Sequence, residues 1–162
     1  MEEGRIIKNV QVFSEDHLPA SVWGRDKELQ ELRECIAPAL KQRKPLNVWL
    51  HGKPGTGKTL ATKWLLDSLK QESSVKTTYV NCWEHRTFYL VVDKIVREQK
   101  VLFAERTDAA LKLERFYRTI GSKPFIVVLD EIDKPTPTER NAILYNLCRI
   151  GNVGLICICN SR

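Results

Sequence analysis

Apolar and polar positions along this chain fall into a succession of short helical and strand-like patterns. From Gly24 the apolar residues Leu29, Leu32, Ile36 and Leu40 step by three and four, which predicts a helix; Pro38 inside that run predicts a kink or a split. Asn47-Val48-Trp49-Leu50-His51 is a short run of strand formers, and Leu60, Ala61, Trp64, Leu65 and Leu69 then return to helical spacing. Val75 to Asn81 alternates loosely and predicts a second strand. Thr87 to Lys100 predicts a helix with Leu90, Val91 and Ile95 on one face. Asp108 to Ile120 predicts another, with Ala109, Leu113, Phe116, Tyr117 and Ile120 on its face, and Gly121-Ser122-Lys123-Pro124 ends it. Phe125-Ile126-Val127-Val128-Leu129 is unbroken and apolar, as in a strand buried on both faces. Thr136-Pro137-Thr138-Glu139 carries a Thr cap, Pro at the first helical position and Glu at the third, opening a helix to about Ile150 with Gly151 as its stop. Val153 to Cys159 is a further β-rich run. Strands alternating with helices predict an α/β domain of three layers around a parallel sheet. Residues 1–23 lack this periodicity and form a segment apart from the core domain of residues 24–162.

Between the first strand and its helix lies Gly52-Lys53-Pro54-Gly55-Thr56-Gly57-Lys58-Thr59, which fits G-x-x-x-x-G-K-[ST]. Such a loop wraps backbone N–H groups around a phosphate chain, and the following helix points its positive end at the same phosphates. An ordinary Gly/Pro turn does not account for the Gly57-Lys58-Thr59 ending. Lys58 is expected to reach the β- and γ-phosphates, and the Thr59 hydroxyl to ligate Mg²⁺. The loop and Leu60, from Gly52 through Thr59, are therefore the candidate ATP/ADP contacts.

The second chemical anchor is Asp130-Glu131 at the end of the apolar strand. By itself it reads as a solvated acidic turn. Paired with a phosphate loop, it reads as Asp130 holding Mg²⁺ and Glu131 orienting or deprotonating an attacking water. Asp133 is either a supporting carboxylate or a solvated one. Asn160 directly follows the last apolar strand, where its amide is placed to reach the γ-phosphate or the water. Glu131, Asn160 and Lys58 are the candidate catalytic residues; Thr59 and Asp130 are the candidate metal ligands.

Composition changes this picture little. A length of 162 residues suits one domain, and a net charge of +6 is compatible with an anionic partner or with a lysine surplus for solubility. No apolar run approaches a membrane span, and the N-terminus has no signal-peptide pattern, so the expectation is a cytoplasmic, nucleoid-associated protein without a membrane partner. The five cysteines are scattered and odd in number, as free thiols in a reducing compartment are; Cys157 and Cys159 read as buried small apolar residues.

Gly52 to Thr59, Leu129 to Asp133 and Ile158-Cys159-Asn160 resemble Walker A, Walker B and sensor 1 of an AAA+ ATPase. Ile6-Ile7-Lys8-Asn9, Val12-Phe13-Ser14, Leu18-Pro19, Gly24 to Leu29, Pro38-Ala39-Leu40, Pro45 to Val48, Tyr79-Val80-Asn81-Cys82 and Val153 to Ile156 resemble the archaeal origin-recognition and cell-division-control initiators, in one order over nearly the whole chain. That resemblance implies a sheet in the order 5-1-4-3-2. It implies an N-terminal segment packing near the nucleotide, with Leu18, Pro19 and Arg25 at the adenine pocket. It implies origin DNA and other initiator or helicase subunits as partners. It also implies DNA-touching helices between Trp83 and Ile120, with Arg86, Arg97, Lys100, Arg106, Lys112, Arg115 and Arg118 as phosphate contacts; a solvated helical face is the alternative, since Glu98, Glu105, Asp108 and Glu114 are interleaved. The chain stops at Asn160-Ser161-Arg162, before the family's last core strand, arginine finger, lid and winged helix. The expectation is therefore a truncated core with strand 1 at an open edge and with weak or absent ATP hydrolysis. Two other readings stay open: a clamp-loader-like, helicase-loader-like or signalling P-loop ATPase, and a non-catalytic nucleotide- or DNA-binding scaffold.

Overall fold

The computed structural model describes residues 18–19, 21–102 and 107–160. The N-terminal apolar residues Ile6 to Phe13 and the candidate cation Arg106 lie outside them. Five helices and four strands follow in the order α1 (Asp26–Leu40), β1 (Val48–His51), α2 (Lys58–Glu72), β2 (Lys76–Asn81), α3 (Phe88–Glu98), α4 (Ala109–Ile120), β3 (Phe125–Asp130), α5 (Pro137–Cys148) and β4 (Val153–Cys159). The strands are all parallel, in the order β1-β4-β3-β2. That is the implied 1-4-3-2 core, with β1 at an edge of the described sheet.

Every residue of β3 and β4 is buried, because helices cover both faces. Strand alternation divides their side chains. Phe125, Val127, Leu129, Val153, Leu155, Cys157 and Cys159 pack toward α3, α4 and α5. Ile126, Val128, Ile156 and Ile158 pack toward α1 and α2. Burial pushes the Cys82 and Cys157 thiols up to about 12, as for cysteines used as small apolar residues. Gly154 makes room inside β4: a Cβ there would come within 2.6 Å of the Pro45 ring.

Several local expectations change. Pro38 does not split α1, which is continuous through Leu40; it sits in the last turn, where its carbonyl accepts from the backbone N–H groups of Lys41 and Arg43. The buried face of α3 is Val91, Val92, Ile95 and Val96, while Leu90 is 39% exposed. On α4, Tyr117 is exposed and Lys112 takes a place on the buried face with Ala109, Phe116 and Ile120. Thr136 caps α5 by accepting from the Glu139 N–H. The Glu139 carboxylate does not complete the box within α5: it accepts from the Phe88 N–H at 2.7 Å and so caps the start of α3.

Candidate functional site

The phosphate loop leaves the end of β1 and enters α2 through Gly57, whose φ of 82° is left-handed; Gly55, at 75°, is left-handed as well. A Cβ at either position would meet no protein atom within 4 Å, so backbone conformation and not crowding calls for glycine. Lys58 folds back over the loop and donates to the Gly52 carbonyl at 2.8 Å and the Lys53 carbonyl at 2.9 Å, with the Thr56 hydroxyl at 3.5 Å. Thr56 also donates to the Lys53 carbonyl. Arg25 reaches the loop from the start of α1 by donating to the Thr56 carbonyl, and it pairs with Glu28.

Alternation along β3 puts Asp130 on the α2 face at the sheet's C-terminal end. The backbone at and after Asp130 is held from both sides: the Cys82 N–H, just past β2, donates to the Asp130 carbonyl, and the Ile132 N–H donates to the Ile158 carbonyl of β4. The carboxylate is 4% exposed and receives three hydrogen bonds from neutral donors. Thr59 Oγ1 donates to Oδ2 at 2.8 Å, the Tyr79 hydroxyl donates to the same oxygen at 2.6 Å, and the Glu131 N–H donates to Oδ1 at 2.9 Å. Glu131 itself takes φ 53°, an uncommon conformation for a non-glycine residue that turns the chain sharply after the strand. One carboxylate oxygen of Asp133 is buried without a hydrogen-bond partner.

Because β4 lies between β1 and β3, its end brings Asn160 between the phosphate loop and the acidic turn. A cavity of about 540 Å³ results, lined by Pro54, Gly55, Gly57, Lys58, Thr59 and Leu60 on one side and by Asp130, Glu131 and Asn160 on the other. The candidate residues far apart in sequence thus share one cleft. Leu18 instead lines an adjoining cavity beyond Lys63 and Tyr79, and Pro19 lines neither. The donor set fits a hard divalent cation: a hydroxyl and a buried carboxylate in contact, with no ion pair to Asp130 among the described residues.

Tyr79 is the site residue that the strand pattern did not single out. Alternation of β2 marks its face, but only the β2–β3 register, Tyr79 beside Val128 and Asn81 beside Asp130, shows which acid it meets. Burial first, then the bond to Asp130 and the charge behind it, raises its phenol well above the usual range and keeps it a donor.

The proposed DNA-touching cations separate differently. Lys112 is 2% exposed and cannot contact DNA as placed; it is ion-paired with Asp93 and hydrogen-bonded to Tyr89. Arg97 pairs with Asp93 and Arg118 with Glu114, while the Arg86 guanidinium lies 4.4 Å over the Trp83 ring. No helix among the described residues is long and apolar enough to cross a membrane.

A phosphate loop on an edge strand, faced across β4 by an acidic strand end, defines a P-loop ATPase domain. The family described as AAA ATPase domain matches residues 21–158, and the chain belongs to it. The archaeal initiator resemblance holds as well. The ORC1-type DNA replication protein 3 of Haloarcula marismortui is 30% identical over 94% of this chain and 44% of its own length. The ORC1-type DNA replication protein of Thermococcus kodakarensis is 32% identical over 91% of this chain and 39% of its own. The Aeropyrum pernix ORC1 protein, solved in complex with DNA, superposes with a TM-score of 0.79 at 32% identity, covering 93% of this chain and 42% of that one. Cdc6p of Pyrobaculum aerophilum, at 21% identity and a TM-score of 0.81 over 94% of this chain and 43% of that one, shares the fold. The chain thus spans less than half the length of these relatives.

Proposed function

We propose that this chain is the ATP-binding part of a DNA replication initiator, acting at origin DNA with other initiator or helicase subunits. The observation that carries the reading is the contact between Thr59 and Asp130 at the foot of the Lys58-closed loop. Nucleotide binding exchanges the Lys58 bonds to the Gly52 and Lys53 carbonyls for bonds to β- and γ-phosphate oxygens. Thr59 and Asp130 would hold Mg²⁺, which would neutralise charge on those oxygens. Glu131 lines the same cleft and would orient a water or take its proton, and Asn160, which lines it too, would supply an amide. Arg25 couples the start of α1 to the loop.

The test is calorimetric titration with Mg-ATP. Lys58→Ala removes one partner of a charge pair with phosphate and should weaken binding by about 30-fold or more. Unchanged affinity would sink the reading.

A further inference from the structure

We propose that Tyr79 is a positioning residue for the metal-binding carboxylate: its hydroxyl fixes Asp130 so that Thr59 and Asp130 present a preformed cation site. This deepens, and rests on, the Mg-ATP reading. Asp130 Oδ2 accepts two hydrogen bonds, from Thr59 at 2.8 Å and from Tyr79 at 2.6 Å, while the Glu131 N–H holds Oδ1. The carboxylate plane is therefore set by three donors on three elements: α2, β2 and the turn after β3. Two of them, Thr59 and the Glu131 N–H, belong to segments that carry the phosphate loop and the acidic turn. Tyr79 alone reaches in from the outer strand, and it is itself immobilised. Its ring packs against the apolar side chains under α2, and the Lys63 ammonium lies 5.0 Å over the ring. Lys63 is one helical turn after Thr59, so one face of α2 holds both the metal hydroxyl and the tyrosine that aims its acid.

The geometry has a chemical consequence. A carboxylate with Oδ2 doubly hydrogen-bonded is a weaker direct ligand but a well-aimed acceptor, suited to holding metal-bound water. Without the phenol hydroxyl the Asp130 carboxylate keeps only the Thr59 and Glu131 N–H bonds, so its terminal torsion is less restrained and Thr59 has a less fixed acceptor. The phosphate loop is untouched by that change. Tyr79 should thus act on the Mg²⁺-dependent part of nucleotide affinity and leave the metal-independent part alone.

The experiment titrates ATP into the protein, in EDTA and in Mg²⁺, for wild type, Tyr79→Phe, Asp130→Ala and the double variant. Thermal melts without ligand confirm that each is folded. Tyr79→Phe should leave affinity in EDTA unchanged and reduce the Mg²⁺ enhancement about tenfold, the range for a lost hydrogen bond to a charged group. Added to Asp130→Ala it should cost nothing further, because it acts through that carboxylate. Equal losses in EDTA and Mg²⁺, or a full Tyr79→Phe effect in the Asp130→Ala background, would mean that the tyrosine only packs. An Mg²⁺ enhancement left intact by Tyr79→Phe overturns the role of Tyr79 alone. A wild-type protein without any Mg²⁺ enhancement overturns the Mg-ATP reading together with it.

Discussion

Two polar clusters, one on each side of the sheet and each built around one buried charged residue, use the same residue types to opposite ends. On the α2 face, Tyr79 and Thr59 donate to Asp130. On the other face, Tyr89 and Asp93 of α3 hold Lys112 of α4. The second cluster is electrically complete. Burial alone would raise the Asp93 carboxyl, but hydrogen bonds and charge from Lys112 and Arg97 outweigh it and hold it below the usual carboxylate range. Burial alone would likewise lower the Lys112 ammonium, and its bonds to Asp93 and Tyr89 raise it instead. The Lys112 ammonium also lies 4.3 Å over the Tyr89 ring. The first cluster has an anion with only neutral donors, while the loop cation Lys58 is turned to backbone carbonyls. A paired buried charge clamps two helices together. A buried carboxylate with no ion-pair partner among the described residues is the feature on which the proposed cation site rests.

This contrast is open to direct attack, and the largest effect is expected at Asp130. Asp130→Asn removes the negative charge and should lower Mg-ATP affinity about 100-fold while moving folding stability by no more than about 1 kcal/mol. Calorimetry and denaturant melts measure the two quantities on one sample. A large stability loss with retained Mg²⁺ enhancement would place Asp130 in the same class as Asp93. Lys112→Met should do the reverse, costing about 1–2 kcal/mol because Asp93 loses its buried partner and keeps only the exposed Arg97, with nucleotide affinity unchanged. Replacing both partners, by Asp93→Leu with Lys112→Met, should recover most of that loss; no recovery would show that packing and not charge is at stake.

The smallest effect is the pH dependence of the complete cluster. Asp93 has a depressed carboxyl in the folded protein. Its stabilisation is therefore present above the unfolded value of about 3.9 and is lost as pH falls through the folded value. Lys112 is raised, so its share is full below about 10.4 and is lost only as pH rises through its folded value. Between these limits the pair should give a flat profile. Asp93→Asn should flatten the acid limb of a melting-temperature series below about pH 4, and an unaltered acid limb would remove Asp93 from the account.

What the sequence by itself determined is whatever local chemistry specifies. Left-handed glycines before Lys58 mark a loop that no other residue type forms as easily, and an apolar run ending in Asp130 marks a strand buried on both faces. The Thr136 cap is equally local, since donor and acceptor lie three residues apart. Tertiary structure decided the rest. A parallel sheet joins strands distant in sequence, so only the observed order puts β4 and Asn160 between the loop and the acid, and only the β2–β3 register brings Tyr79 to Asp130. Glu139 has the spacing of a local cap, yet it bonds Phe88 because the start of α3 packs within its reach. Lys112 reads as a solvated cation by type; it is buried because α4 turns it toward Asp93, where one non-local charge outweighs the preference of lysine for water.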